Sequence, residues 1–156
     1  MPHILIIHDI RSVHNVGSLF RTADSVGINH IIISGYSPTP IDRFGRKRSD
    51  FAKSALGAEE SMSWEYCENI FEKIQEYKKN NYTVIGLEQH EQSIDYKKIQ
   101  KTENMIFIIG TETTGMESTL LAQCDIIAEI PMHGEKESLN VSVATGILLY
   151  RVLDQE

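Results

Sequence analysis

The sequence predicts a single-domain α/β fold, a parallel sheet with helices on both faces. Two observations lead there. Short, continuous, β-branched apolar runs recur along the chain, the pattern of strands buried on both sides. Stretches of helical periodicity separate them, which is the signature of βαβ units. The length of 156 residues suits one domain, expected to span 1–156. A chain of this size buries roughly 68–70% of its unfolded surface, enough for a core without disulfide or metal staples.

The elements follow in order. Ile4-Leu5-Ile6-Ile7 is the first strand, ended by polar His8-Asp9. Residues 15–27 read as a helix: Leu19, Ala23 and Val26 recur at spacings of four and three, Gly27 stops it, and Asn15 is the expected N-cap. His30-Ile31-Ile32-Ile33 is the second strand, closed by Ser34-Gly35. A loop with Pro38 and Pro40 follows, then a short helix over 49–56 before Gly57. Ser63 to Tyr66 reads as a short strand, and Cys67 to Lys79 as a helix with Ile70, Phe71, Ile74 and Tyr77 on one face. Tyr82–Ile85, Met105–Ile109 and Ile126–Ile130 are further strands, a helix starts near Glu117, and Asn140 to Leu153 closes the chain as a helix. No fixed-period repeat or low-complexity linker divides it.

Composition narrows the function classes. Hydrophobic residues make up 41% and charged residues 24%, so neither disorder nor a membrane span is indicated. The N-terminus lacks the basic region and small-residue cleavage site of a signal peptide, and the expected compartment is cytoplasmic. Cys67 and Cys124 make no disulfide framework, and the six histidines show no metal-ligand spacing, so no metal is expected. The net charge of −7 argues against indiscriminate coating of nucleic acid. The charge is segregated, however. Residues 1–57 hold seven Lys+Arg and four Asp+Glu, or +3, and residues 58–156 hold eight and eighteen, or −10. Within the positive part, Arg43, Arg46, Lys47, Arg48 and Lys53 stand against Asp50 alone over 43–53. This stretch is the candidate contact for a nucleic-acid backbone, or else a solvated loop.

Three loops carry unusual residues at expected carboxyl ends of strands, where open α/β sheets gather ligands. The first holds Asn15-Val16-Gly17 and, six residues after the Asn, Arg21-Thr22-Ala23. The second is Gly110-Thr111-Glu112-Thr113-Thr114-Gly115. It is no phosphate loop, because no Lys-Ser/Thr pair follows Gly115, and no dinucleotide fingerprint, because Glu112 replaces the middle glycine. Its glycines permit close backbone approach to a ligand. The third is Ile130-Pro131-Met132, then Ser138-Leu139-Asn140-Val141-Ser142-Val143-Ala144, whose small and β-branched residues let another backbone come near. Taken singly, each also fits a structural part: a capped helix, a glycine turn, a tightly packed terminal helix.

Together, in this order, the three loops resemble the three motifs of the SpoU (TrmH-type) branch of the SPOUT RNA methyltransferases. Lys53-Ser54-Ala55-Leu56-Gly57-Ala58, between the first two, adds to the resemblance. The resemblance implies a C-terminal trefoil knot, a rare exception to unknotted topology, formed by the loops after Ile85, Ile109 and Ile130. It implies S-adenosylmethionine as cofactor, bound by Leu87, Glu88, Gly110, Glu112, Ile130, Met132, Ser138, Leu139 and Asn140. It implies methyl transfer to a ribose 2′-hydroxyl of RNA, with tRNA favoured and ribosomal RNA the alternative. Arg21 would be the central catalytic residue, as a base or as a stabilising cation, and the strong basicity of a guanidinium favours the cation. Asn15 would orient Arg21 or the ribose, Glu112 and Asn140 would hold the constellation, and Ser138 would touch substrate or cofactor. A homodimer through helices 15–27 and 140–153 is implied as well. The last motif departs from the Ser-Met-Asn-Leu-Ser of the wobble-position tRNA members, so no nucleotide is assigned. Two other readings compete: a catalytically silent RNA-binding paralogue, and a flavodoxin-like small-ligand binder.

Overall fold

A computed structural model describes residues 2–111 and 115–155. Among the described residues seven strands form one sheet in the order β3-β2-β1-β6-β4-β7-β5, and every pairing within it is parallel. The strands are β1 (His3–His8), β2 (His30–Ser34), β3 (Trp64–Cys67), β4 (Thr83–Leu87), β5 (Ile94–Asp95), β6 (Met105–Ile109) and β7 (Ile126–Glu129). The helices are α1 (Val13–Val26), α2 (Ser49–Ala55), α3 (Ala58–Ser61), α4 (Ile70–Lys79), α5 (Ser118–Leu121) and α6 (Val141–Leu153). A 3-10 turn covers Tyr96–Lys98. Among the described residues no helix is long and apolar enough to cross a membrane.

The apolar runs alternate between two cores, as strand geometry requires. Leu5 and Ile7 of β1, Ile31 and Ile33 of β2, and Phe107 of β6 face one layer, with Leu19 and Phe20 of α1, Phe51 of α2 and Leu148 of α6. Ile4, Ile6, Ile32, Ile106 and Ile108 face the other, with Ile70 and Ile74 of α4 and Leu120 of α5. Each fully buried Ile contributes about 1.5–3 kcal/mol. The chain lays down β1, β2 and β3 in one direction, then crosses to β4 on the far side, and β6 fills the gap between β1 and β4. That reversal of strand order is where α/β sheets open a crevice.

The elements α1, β5 and α3 differ from the sequence expectation. The first helix starts at Val13, capped by Ser12, whose hydroxyl accepts from the Asn15 N–H at 3.1 Å. Asn15 is therefore not the cap, and its buried side chain points elsewhere. The two-residue β5 and the one-turn α3 are too short to leave a periodic signal.

Gly17 in the first motif is a packing residue. A Cβ there would stand 1.9 Å from Ser54 Oγ and 2.9 Å from the Phe51 carbonyl oxygen, because α1 presses directly onto α2. The hydroxyl can rotate away, but the carbonyl belongs to a helix backbone. Gly17→Ala is expected to destabilise the fold by about 1–3 kcal/mol. A drop in the urea midpoint with an unchanged slope checks this.

Candidate functional site: a cleft at the carboxyl ends of β4, β6 and β7

Three loops leave neighbouring strands β4, β6 and β7 at the same end of the sheet and enclose a cleft of about 390 Å³. The loop after β4 brings Leu87 and Glu88, the loop after β6 brings Gly110, and the segment after β7 brings Ile130 and Met132. Ser138, Leu139 and Asn140, just before α6, close the wall, and Asn15 of α1 completes it. All the described residues expected to bind the cofactor thus line one cavity. Glu112 lies outside the described residues. Gln89, Thr111, Glu129, Val141 and Ala144 also line the cleft. Gln89 and Glu129 carry no motif that would single them out, whereas Ala144 follows from helical spacing after Asn140.

Local chemistry fixes each wall. Asn140 is the N-cap of α6: its side-chain oxygen accepts from the Ser142 N–H at 2.9 Å and the Val143 N–H at 3.4 Å. Its Nδ2 then donates to Asn15 Oδ1 at 3.2 Å. One side chain therefore starts the last helix and ties it to the first, across 125 positions of sequence. Glu88 does the same for the glycine loop. Its carboxylate accepts from the Met116 N–H at 2.6 Å, while its own N–H donates to the Ala128 carbonyl of β7 at 3.0 Å. Gly115, at φ 76°, is the residue that permits this approach, since a Cβ there would meet Glu88 Oε2 at 3.1 Å. Gln89 Nε2 donates to the Glu137 carbonyl at 2.9 Å and joins the first loop to the third.

The side of the cleft nearest β1 is braced by His8. Its Nδ1 lies 2.8 Å from Ser34 Oγ, and its Nε2 lies 3.3 Å from both Glu117 and Asp9 carboxylates. Glu117 stands at the N-cap position of α5 without a side-chain capping bond, and its carboxylate instead meets His8, so this imidazole holds the exit of the glycine loop against the end of β1. His14 and His133 are exposed.

Arg21 stands apart from this cleft. It does not line the cavity, its side chain is exposed, and it has no hydrogen bond or ion pair among the described residues. The six-residue separation from Asn15 carries it about 9 Å along α1. The basic stretch is also less free than its charge suggests. Arg46 pairs with Asp42 at 3.2 Å, Lys47 with Glu60 at 2.8 Å, and Arg48 with Asp50 at 2.8 Å. The hydrogen bond from Lys47 to Glu60 raises the Lys47 pKa, and that from Arg48 lowers the Asp50 pKa. Arg43 and Lys53 are exposed and make no ion pair among the described residues.

The two thiols show no sign of activation. Burial pushes the Cys124 thiol up to about 11 and raises that of Cys67, so both behave as packing groups. Among the described residues no three His, Cys, Asp or Glu side chains converge as a metal site.

Comparison with known proteins agrees with the geometry. The model of the SpoU rRNA Methylase family matches residues 2–150. A protein of Staphylococcus aureus (strain COL), described as a TrmH family tRNA/rRNA methyltransferase, is 33% identical over 149 residues, 96% of this chain and 57% of that one. A Bacillus subtilis (strain 168) protein of the same description is 32% identical over 151 residues, 97% of this chain and 58% of that one. The chain thus spans a little over half the length of these relatives. In fold, it is similar to the A. aeolicus TrmH/SpoU tRNA modifying enzyme, with a TM-score of 0.84 at 24% identity over 98% of this chain and 74% of that one. It is also similar to AviRb of Streptomyces viridochromogenes, solved in complex with AdoMet, with a TM-score of 0.84 at 22% identity over 97% of this chain and 59% of that one. With nearly all of its residues matched by the family model, and its motif loops gathered around one cleft, the chain belongs to the SpoU rRNA Methylase family.

Proposed function

We propose that the protein is an S-adenosylmethionine-dependent RNA methyltransferase acting on a ribose 2′-hydroxyl, with tRNA the favoured substrate. The observation that carries this reading is the convergence of Leu87, Glu88, Gly110, Ile130, Met132 and Asn140 on a single cleft. Its volume of about 390 Å³ falls in the range of small-molecule sites. Its lining suits the cofactor: Leu87, Ile130, Met132 and Leu139 offer apolar surface for an adenine and a thioether, with polar groups among them. S-adenosylmethionine supplies an activated methyl group there. The protein's own part is to hold the ribose oxygen in line with that methyl and to manage the hydroxyl proton.

In this reading the Asn15–Asn140 pair fixes the wall of the cleft on which the substrate ribose rests. Ser138 and Leu139 lie beside it, and Glu112, outside the described residues, is assigned to the constellation by its sequence motif alone. Arg21, permanently charged, stabilises negative charge growing on the ribose oxygen and anchors an adjacent phosphate. Its distance from the cleft wall in a single chain fits a role that begins only when RNA or a second copy is seated. The loops after β4, β6 and β7 are those through which the family's knot would pass, and the knot is part of this proposal.

A homodimer through α1 and α6 completes the reading. The two helices pack together, with Thr22 Cγ2 at 3.5 Å from where a Cβ of Gly146 would lie. On α6, Val143 and Tyr150 are 50% and 44% exposed and share one face at a seven-residue spacing, leaving an apolar stripe beside the cleft. Tyr150→Glu is expected to give a monomer in sedimentation at micromolar concentration, where the parent sediments as a dimer.

The tRNA substrate is favoured because the A. aeolicus neighbour is a tRNA modifying enzyme, and another structural neighbour, with a TM-score of 0.78 at 20% identity, concerns 2-OH methylation of C/U34 on tRNA. Ribosomal RNA is the second reading, favoured by the family's own description. Isothermal titration with S-adenosylhomocysteine tests the cofactor site: one site per chain is expected, and no binding would remove the reading. For RNA, the exposed Arg43 and Lys53 should contribute more to the salt dependence than the paired Lys47. Replacing both with Ala is expected to lower the slope of log K against log salt by about 1–2. Replacing Lys47 alone should lower it less, and fluorescence anisotropy across a salt series measures both.

A further inference from the structure

Between β2 and α2 the chain makes a tight projecting loop. An antiparallel bridge from Ile41 to Lys47 closes its base. The Asp42 N–H donates to the Arg46 carbonyl at 2.8 Å, and the Gly45 N–H donates to the Asp42 carbonyl at 3.0 Å. The Asp42 side chain organises the tip: Oδ1 accepts from the Phe44 N–H at 2.9 Å and the Arg46 N–H at 3.0 Å, and Oδ2 accepts from Arg46 Nε at 3.2 Å. Gly45, at φ 77°, supplies the left-handed residue the turn needs.

This construction presents Phe44 to solvent at 66% exposure, the highest of the exposed large apolar side chains among the described residues. The ring is not bare. The guanidinium carbons of Arg43 and Arg46 lie 4.9 and 5.0 Å from its centroid. Over residues 42–48 four cations stand against Asp42, a local charge of +3 in a chain of −7. The arrangement repeats at the end of β2, where Tyr36 is 50% exposed and Arg11 lies 5.0 Å from its ring centroid. Tyr36 follows the carboxyl end of β2, at the same end of the sheet as the cleft.

An exposed aromatic ring carrying guanidinium groups has the two parts that bind unpaired nucleotides. The ring stacks on a base, and the guanidinium groups meet phosphate or lie over the base. A paired base in an A-form helix has both faces covered and cannot use the ring. We propose that Phe44, with Arg43 and Arg46, is a stacking platform for an unpaired base of the RNA substrate, so that this loop selects single-stranded or looped RNA over duplex. The inference rests on the RNA reading given above and adds a residue that distinguishes RNA structure rather than charge.

The test compares two fluorescent RNAs, a stem–loop with an unpaired loop and a blunt duplex of equal length, by anisotropy. Phe44→Ala is expected to weaken stem–loop binding at least about fivefold, with duplex binding and the salt slope unchanged. Phe44→Trp should retain stem–loop affinity, while Phe44→Leu, apolar without a π face, should lose it like Ala. Binding of S-adenosylhomocysteine should be the same in all four proteins. Equal stem–loop affinity of the parent and F44A overturns the platform while leaving the enzyme reading intact. Full affinity in F44L also overturns it and points instead to an apolar contact. If the parent binds neither RNA, the RNA reading itself falls.

Discussion

Arg21→Ala is expected to reduce methyl transfer by at least about 10²–10³-fold and to leave cofactor affinity unchanged. The separation follows from geometry. Arg21 is exposed on α1 and does not line the cleft, whose walls come from Asn15 and the three C-terminal loops. Removing it therefore takes nothing from the cofactor and takes a fixed positive charge from the substrate side. A guanidinium offers N–H donors and no acceptor, so its contribution is charge and orientation rather than proton abstraction. Arg21→Lys is informative as well. It restores the charge without the planar fork, so partial recovery would indicate charge stabilisation, and none would indicate bidentate positioning of a phosphate. Tritium transfer to RNA and calorimetry with S-adenosylhomocysteine, performed on the same samples, read the two effects separately. Transfer at the parent rate in R21A would remove Arg21 from the catalytic assignment.

The second large effect is expected at Asn140, where two functions of one side chain can be divided. Asn140→Ala removes the N-cap of α6 and the bond to Asn15 together. The lost cap alone costs about 0.5–2 kcal/mol. Asn140→Ser keeps a good capping oxygen but cannot reach Asn15 Oδ1, which Asn140 Nδ2 now contacts at 3.2 Å. N140S is therefore expected to recover the stability of the parent in urea while transfer stays down by about 10²-fold, since a displaced cleft wall misplaces the substrate. If N140S recovers both stability and transfer, the cap was the whole function of Asn140. If it recovers neither, the tie to Asn15 belongs to the fold rather than to the site.

The sheet was largely legible because its strands are parallel and buried on both faces. Ile4–Ile7 and Ile31–Ile33 are fully buried, so no polar alternation interrupts the run. The two-residue β5 could not be read, because Ile94-Asp95 has no period to detect. The start of α1 was misplaced for an instructive reason. Ser12 and Asn15 are both good capping residues, and local sequence cannot choose between them. The choice is made by Asn140, which gives the Asn15 side chain a different partner far along the chain. The cleft was legible as three separate loops, since glycines and Asn at strand ends leave a mark in sequence. Their convergence depends on β6 entering the sheet between β1 and β4, which no local pattern encodes. The basic stretch shows a similar division. Its charge is visible in residues 43–53, but the pairing of Lys47 with Glu60 arises only when α3 folds against the loop. Phe44, one residue within that stretch, gave no signal, because an isolated aromatic in a loop looks the same in sequence whether it is buried or held out to solvent.

The central claim is tested most directly by identifying the product. The full chain, incubated with S-adenosylmethionine labelled in the methyl group and with RNA from cells lacking the gene, should transfer label to RNA. Digestion to nucleosides and mass spectrometry should then place that label on the ribose, as a 2′-O-methyl nucleoside arising from tRNA. Label on a nucleobase, or no transfer by a sample that binds S-adenosylhomocysteine, would contradict the account.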